Sequence, residues 1–256
     1  MLINFTNIKF YASLLVLISL TITCNNSNIN REDSPVVKSL SLQKVASIKV
    51  PEPSGLSYSY DKKHFWSVCD ENSLVYKMQL NGIIVDSFKV SGEDLEGVTV
   101  TGLNSLAVVL ERTREVVILD TLGKEIKRKK FDLPGNLNEG LEGICFDALN
   151  KKYYLLNEKN PGLLIKTDEK FNIEFKREIN FADDFSDIYF AEEDTSLWIL
   201  SDESKKILQT DLEGKLIKQF YVDVIQPEGL IVDYKKQIVF IVSDKKEELY
   251  QFKLKN

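Results

Sequence analysis

Apolar and polar residues alternate in short runs from about residue 40 onward, and the same arrangement recurs in five successive segments. Each segment has an apolar strand with an anchor residue, a polar turn such as DKK or NKK, and a second apolar strand that ends at an acid. The anchors are Gly55, Gly97, Gly143, Asp187 and Gly229. Their spacings of 42, 46, 44 and 42 residues are typical of the four-stranded blades of a β-propeller.

A third strand and a more polar fourth strand complete the first four segments, and the charges of the fourth strand suit an outer edge. The fifth segment reaches Asn256 before a fourth strand begins. Residues 44–50 have the character of a fourth strand, and we expect them to pair with residues 249–254. The sequence therefore predicts an all-β fold over 41–256, a five-bladed propeller closed by its N-terminal strand. A six-bladed ring would need another segment, which the sequence does not show.

The N-terminus has the pattern of a targeting signal. Residues 10–22 are thirteen apolar or small residues, fewer than the roughly 20 that a membrane span needs. Cys24 follows, which predicts a signal peptide over 1–23 with a lipoprotein-type cleavage site, although Thr23 departs from the usual small residue. The alternative is an uncleaved N-terminal anchor. Residues 24–40 are polar and turn-rich, as in a flexible tether. We therefore expect a membrane-anchored protein of the bacterial cell envelope, facing the periplasm or the cell surface.

Charge and composition exclude several kinds of chemistry. The formal net charge of -6 disfavours a nucleic-acid partner. His64 is the single histidine, and the three cysteines form no CxxC pair, so zinc sites and histidine-based catalysis lack their residues. The chain has no GxSxG motif for a serine hydrolase. Cys69 and Cys145 fall in different blades, and we expect both to be buried free thiols.

Three glutamates, Glu96, Glu142 and Glu228, stand directly before anchor residues. Because the first strand of each blade runs beside the central channel, these carboxylates and Asp187 are predicted to converge at one mouth. Several carboxylates a few Å apart repel each other, and a hard cation such as Ca²⁺ would stabilise them. The alternative, which we prefer, is structural: the glutamates accept backbone hydrogen bonds from the neighbouring blade.

A second set of acids ends the second strand of each segment, 14 or 15 residues after the anchor. This second ring consists of Asp70, Glu111, Glu158, Asp202 and Asp244. Acids at such positions often cap turns or bond between blades, so we interpret the ring as structural. Aromatic residues on the repeated strands, such as Trp66 and Trp198, are predicted to pack between blades rather than bind a ligand.

The acidic motifs before the anchors carry a family resemblance. The motifs DLEG at 94–97, NEGLEG at 138–143, LSDES at 200–204 and QPEG at 226–229 resemble the SdiA-regulated family of bacterial envelope proteins. The resemblance spans residues 50–256 and implies an exported β-propeller in a family of poorly defined activity. The chain departs from the pattern at Asp187, which replaces glycine, and at Ser54 and Ser186, which replace glutamate.

Two functional hypotheses follow. The preferred one is a lipid-anchored binding module in the cell envelope, expected to be a monomer, with a protein or small molecule as its ligand. The alternative is a Ca²⁺-dependent hydrolase of the esterase, lactonase or phosphoesterase type, with the metal on Glu96, Glu142 and Glu228. We favour a protein without enzymatic activity.

Overall fold

The structure, a computed structural model, describes residues 36–254, which form twenty β-strands and no α-helix. The predicted signal peptide, Cys24 and residues 24–35 of the predicted tether lie outside the described residues. Within the described range, no helix is long and apolar enough to cross a membrane. In chain order the strands are β1 (Val36–Ser47), β2 (Pro53–Tyr58), β3 (His64–Cys69), β4 (Leu74–Gln79), β5 (Ile84–Lys89), β6 (Leu95–Gly102), β7 (Ser105–Leu110), β8 (Glu115–Asp120), β9 (Glu125–Lys130), β10 (Leu141–Asp147), β11 (Lys152–Asn157), β12 (Leu163–Thr167), β13 (Ile173–Glu178), β14 (Asp187–Ala191), β15 (Ser196–Ser201), β16 (Lys206–Thr210), β17 (Leu216–Tyr221), β18 (Pro227–Asp233), β19 (Ile238–Ser243) and β20 (Glu248–Leu254).

The strands form five four-stranded antiparallel blades, as predicted. Blades 1 to 4 are β2–β5, β6–β9, β10–β13 and β14–β17, each with its strands in sequence order. Blade 5 has the order β18, β19, β20, β1. The first strands of consecutive blades contact one another, and β18 contacts β2, so the five inner strands form a closed ring. The fold is therefore the five-bladed β-propeller that the anchor spacing predicts.

The N-terminal strand closes the ring, as predicted. Its pairing with β20 runs from Leu40, opposite Leu254, to Ser47, opposite Glu248. The strand starts at Val36, within the range predicted as tether, and the paired segment lies a few residues earlier than 44–50. Residues 36–39 pair in parallel with residues 218–221 of β17, so β1 joins blade 5 to the outer edge of blade 4.

A hydrophobic core fills each of the five interfaces between neighbouring blades. Trp198 stacks on Phe220 in the core between blades 4 and 5, and Trp66 lies in the core between blades 1 and 2. Both tryptophans are buried, which confirms that they pack between blades. Cys69 and Cys145 are buried free thiols, as predicted.

The turn between the third and fourth strands needs a left-handed backbone. Gly82, Gly123 and Gly214 adopt φ values of 89°, 89° and 80° there. In blade 3 the same turn places Phe171 at a φ of 67°. Its ring is buried against Phe131 and Tyr153, and this packing offsets the strain of a bulky residue in the left-handed region.

Candidate functional site

The channel narrows at the level of the anchor residues because the inner strands approach one another closely there. A Cβ atom on Gly55 would lie 2.5 Å from the carbonyl oxygen of Glu96, and one on Gly97 would lie 2.5 Å from that of Glu142. Only glycine fits so near a neighbouring backbone. The four strands that carry an anchor glycine also have a β-bulge at this point, whereas β14, which begins at Asp187, pairs regularly with β15.

Asp187 bridges the inner strands at this constriction. One carboxylate oxygen accepts the N–H of Ile188 at 2.8 Å, and the other accepts the N–H of Leu230, on blade 5, at 2.8 Å. Burial raises the pKa of Asp187 well above its ordinary value, and the backbone amides of Leu230, Ile188 and Leu56 oppose that rise. The side chain is 1% exposed. Asp187 therefore closes the channel and joins blade 4 to blade 5.

An acidic cavity of about 460 Å³ opens on one side of the constriction. It is formed by the residues before the anchors and by the loops that follow the second strands. Its lining consists of Ser54, Asp70, Glu96, Glu111, Asn138, Glu142, Glu158, Lys159, Asp184, Ser186, Asp202, Glu203, Gln226, Glu228 and Asp244. Among the described residues, ten carboxyl groups and one ammonium group line this cavity, so acidic groups far outnumber basic ones in it.

Glu142 lies deepest among the three glutamates that precede an anchor. It is 9% exposed, and no described residue donates a hydrogen bond to its carboxylate or pairs with it as a cation. Burial raises the pKa of Glu142 well above its ordinary value, and the charges of Glu96, Glu111 and Glu228 raise it further. The carboxyl oxygens of Glu142 open on the cavity, and no donor from the described residues replaces the hydration that the burial of this side chain removes.

Glu96 and Glu228 are half-buried in the same lining. Burial raises the pKa of each well above its ordinary value, and the charge of Asp70 raises that of Glu96 further, as the charge of Glu96 does for Glu228. Carboxyl groups in this state hold protons at pH values where ordinary glutamates are ionised.

Carboxylate oxygens approach closely enough to share a cation at three places. The oxygens of Glu111, Glu142 and Glu158 lie within 4.8 Å of one another, and so do those of Asp70, Asp94 and Glu96. A third triad consists of Glu158, Asp184 and Glu203. All three triads belong to the acidic cavity or its rim.

Lys159 occupies the third triad. Its ammonium lies 2.7 Å from Glu158 Oε1 and 2.9 Å from Glu203 Oε1. Burial lowers the pKa of Lys159, but the hydrogen bonds to Glu158 and Glu203 outweigh burial and raise it overall. Asp184 is held separately, by the Ser201 hydroxyl and the Glu203 amide. The cavity thus already holds one ammonium group between two carboxylates.

The structure brings both predicted acidic rings into one cavity, with one exception. Glu96, Glu142 and Glu228 line it together with all five members of the second ring. Asp187 lies apart, because its carboxylate bonds to backbone amides at the constriction. Accepting backbone N–H groups of a neighbouring blade is the structural role that we considered for the glutamates. Glu111 has this role too, because its carboxylate accepts the N–H of Gly140 at 3.1 Å.

Sequence reasoning missed Lys159, Asp184 and Glu203. Lys159 and Glu203 directly follow second-ring acids in the sequence, and this adjacency could have indicated that they lie near the cavity. Asp184 lies in an irregular loop before β14, where the repeat gives no register.

The sequence profile of the SdiA-regulated family matches residues 36–253. The chain belongs to this family. The match covers the propeller from β1 to β20, so the SdiA-regulated domain and the closed ring have nearly the same bounds.

Solved structures share the fold of this SdiA-regulated propeller. The glutaminyl cyclase of Myxococcus xanthus is 12% identical, with a TM-score of 0.70 over 86% of this chain and 98% of that one. A chain of a nidogen/laminin complex is 11% identical, with a TM-score of 0.54 over 79% and 80%. Streptogramin B lyase is 15% identical, with a TM-score of 0.50 over 83% and 73%. At these identities the likeness supports the fold alone.

A second pocket of about 180 Å³ lies on the other side of the constriction in the SdiA-regulated propeller. Ser57, Thr99, Cys145 and Tyr189, each two residues after an anchor, contribute to its lining. Its walls are half apolar and carry few charges, so the two mouths of the channel differ in chemistry.

Proposed function

We propose that this SdiA-regulated propeller is a binding module of the bacterial cell envelope whose acidic cavity holds a hard divalent cation such as Ca²⁺. The support for the envelope is the apolar segment at 10–22 and the cysteine that follows it. Lipid attachment at Cys24 would keep the propeller at a membrane surface. Replacing Cys24 by serine tests the anchor. The wild-type protein should be found in the membrane fraction, whereas the Cys24→Ser variant should leave that fraction and keep its propeller fold.

The observation that carries the cation is the state of Glu142. Glu142 is 9% exposed, its carboxyl accepts no hydrogen bond from the described residues, and its oxygens lie within 4.8 Å of those of Glu111 and Glu158. A divalent cation between these oxygens would replace mutual repulsion with attraction. Ca²⁺ takes six to eight oxygen ligands in irregular geometry, so three carboxylates and water suit it.

We expect Ca²⁺ to bind with a one-to-one stoichiometry on this triad and Glu142→Gln to weaken it on the order of 10- to 100-fold. The amide removes one anionic oxygen ligand while it keeps the volume of the side chain. Isothermal titration of the purified protein with CaCl₂ measures both quantities. Glu71→Gln is the matched control, because Glu71 is exposed near the cavity and does not line it. Equal affinity of Glu142→Gln and wild type would contradict the proposal.

We also expect the cation-free protein to lose stability as the pH rises from 5 to 8. Burial is the main cause that raises the pKa of Glu111 from 4.5 to about 7 in the folded protein. The folded state therefore binds more protons than the unfolded state between these values, so this stabilisation is complete below about pH 4.5 and is lost as the pH passes 7. For Glu111 alone the loss is on the order of 1–2 kcal/mol, because solvent in the cavity screens part of the effect.

Urea unfolding at pH 5 and pH 8, in EDTA and in CaCl₂, measures this effect. Ca²⁺ should restore the stability at pH 8, because it binds the ionised carboxylates of the folded state. The Glu111→Gln variant should show a shallower dependence on pH. Stability in EDTA that is constant or rises over this range would show that the carboxyls are not held protonated.

A Ca²⁺-dependent hydrolase is a second candidate, and one feature favours it. The triad of Glu111, Glu142 and Glu158 borders a cavity of about 460 Å³, so a cation there would keep open positions for a substrate. The carboxylates that surround the triad repel anionic phosphoesters, so a neutral ester or lactone is the suitable substrate class. The test is the hydrolysis of p-nitrophenyl acetate in CaCl₂ by the wild type and by Glu142→Gln. Activity in the wild type alone would support the hydrolase, whereas equal rates in both proteins would favour the binding module without enzymatic activity.

A further inference from the structure

One side of the disc carries the turns that follow the first and third strands of each blade, and we call this side the turn face. The second pocket opens on the turn face, and the acidic cavity opens on the opposite side. Four large apolar side chains on turns of blades 1 to 3 are 63–83% exposed there: Tyr60, Leu103, Leu122 and Leu149. We call these four residues the apolar patch.

The repeat does not account for these exposed residues. Leu103 and Leu149 stand six residues after their anchors, where blades 4 and 5 have Glu193 and Lys235. Charged residues therefore satisfy this turn, and a leucine at its tip adds nothing to the core of a blade. Exposed apolar residues that cluster on one face mark a surface that another body covers.

The four side chains lie on neighbouring turns. Leu103 and Leu122 belong to adjoining turns, which a backbone hydrogen bond of 3.2 Å joins. Tyr60 lines a cleft of about 230 Å³ together with Leu103, and it lines the second pocket together with Leu149. The apolar patch is therefore one region that extends across blades 1, 2 and 3.

The N-terminal strand points from the disc toward the turn face. β1 begins with Val36 beside Lys218 and runs parallel to β17, whose first residue, Leu216, follows a turn of this face. Residues 25–35 join Cys24 to Val36, and these eleven residues span at most about 40 Å. The acidic mouth is farther away by roughly 20 Å, the length of a six-residue strand. A lipid on Cys24 therefore brings the membrane closer to the turn face than to the acidic cavity.

The charges of the two sides agree with this orientation. Exposed lysines stand two residues after three members of the patch, at Lys62, Lys124 and Lys151. Lys151 also pairs with Glu169 at 3.5 Å. Ammonium groups on long stems reach the phosphates of lipid headgroups while apolar neighbours enter the acyl boundary. The carboxyl groups of the acidic cavity, which anionic headgroups repel, lie on the opposite side.

We propose that the apolar patch rests on the membrane that holds the lipid anchor, so that the acidic cavity opens away from the lipid. This inference rests on the proposed function, because it uses the anchor at Cys24. Blades 1 to 3 make the contact, since the first turn of blade 4 carries Glu192 and Glu193 instead of apolar residues. The disc is therefore tilted, with blade 4 raised from the surface.

A fluorescent label on the patch tests this orientation. The full chain with its lipid is incorporated into vesicles of phosphatidylethanolamine and phosphatidylglycerol, and the dye NBD is attached to the thiol of Leu103→Cys. Leu137→Cys is the matched control, because Leu137 is 65% exposed, close to the 67% of Leu103, and precedes a residue that lines the acidic cavity. Cys69 and Cys145 are buried, so they compete little for the label.

We expect the emission at position 103 to shift to shorter wavelength on vesicles, and a nitroxide-labelled lipid to quench it at least about threefold more than at position 137. The same label on Cys24→Ser protein in solution gives the unshifted reference. Replacing Leu122 and Leu149 together by serine should reduce the quenching at position 103 about twofold or more, because the patch loses much of its apolar area.

Equal quenching at positions 103 and 137 would contradict the orientation and leave the anchor intact. A spectral shift at position 103 that grows with protein concentration, without quenching by the lipid, would assign the patch to a second copy of the chain. Wild-type protein that does not sediment with the vesicles would contradict the anchor itself, and the orientation with it. Sedimentation is measured before any label is read, so the two failures are distinguishable.

Discussion

Replacing Asp187 by glycine is expected to lower the free energy of unfolding by roughly 3–5 kcal/mol, although glycine is the residue at this position in the other four blades. The substitution leaves the buried amides of Ile188 and Leu230 without their acceptors, and it leaves a void where the carboxylate closes the channel. Asp187→Asn keeps the volume but places a donor against a donor, so it should lose on the order of 2–4 kcal/mol.

Urea unfolding of Asp187→Gly and Asp187→Asn measures these losses. Asp86→Asn is the control, because Asp86 lies exposed on the outer strand β5 of blade 1. If Asp187→Gly were as stable as the wild type, the inner strands would close the constriction without the carboxylate, and the structural role assigned to Asp187 would be wrong.

Removing β1 should have the other large effect. A chain that begins at Ile48 lacks the outer strand of blade 5 and the parallel pairs with β17, so the edges of both β20 and β17 become exposed. We expect a loss of more than about 5 kcal/mol, which is most of the stability of a typical domain, together with aggregation through the exposed edges.

Circular dichroism melts of chains that begin at Val36 and at Ile48 compare the two states. A peptide of residues 36–47, added to the shorter chain, should restore the melting transition by strand addition. Equal melting temperatures of the two chains would contradict the role of β1 in closing the propeller ring.

The sequence predicted the propeller because the anchor glycines repeat a steric requirement that is visible without coordinates. Gly55 and Gly97 stand where a Cβ would meet a neighbouring backbone, so the spacing of such residues reports the spacing of blades. The ends of β1 were harder to place, because outer strands are polar and β1 has an irregularity between Leu42 and Lys44. The pattern of residues in β1 therefore predicted that it pairs with β20, but it did not predict which residues lie opposite each other.

The acidic site was predicted in part for the same reason. Glu142 precedes an anchor and lies at the channel mouth, whereas Asp187 replaces an anchor and lies one position deeper, at the constriction. A single position in register thus separates a cavity-lining carboxyl from a structural one. Lys159 and Asp184 could not be placed, because their convergence depends on how loops of blades 3 and 4 meet once the ring has closed.

The Asp187 barrier gives ligands of the acidic cavity one route for both entry and exit. A bulky group attached at the rim of that opening should then slow association and dissociation by the same factor, while the equilibrium constant stays fixed. The less charged pocket behind the barrier would exchange its own solutes independently, so the two faces of the disc can be loaded in either order.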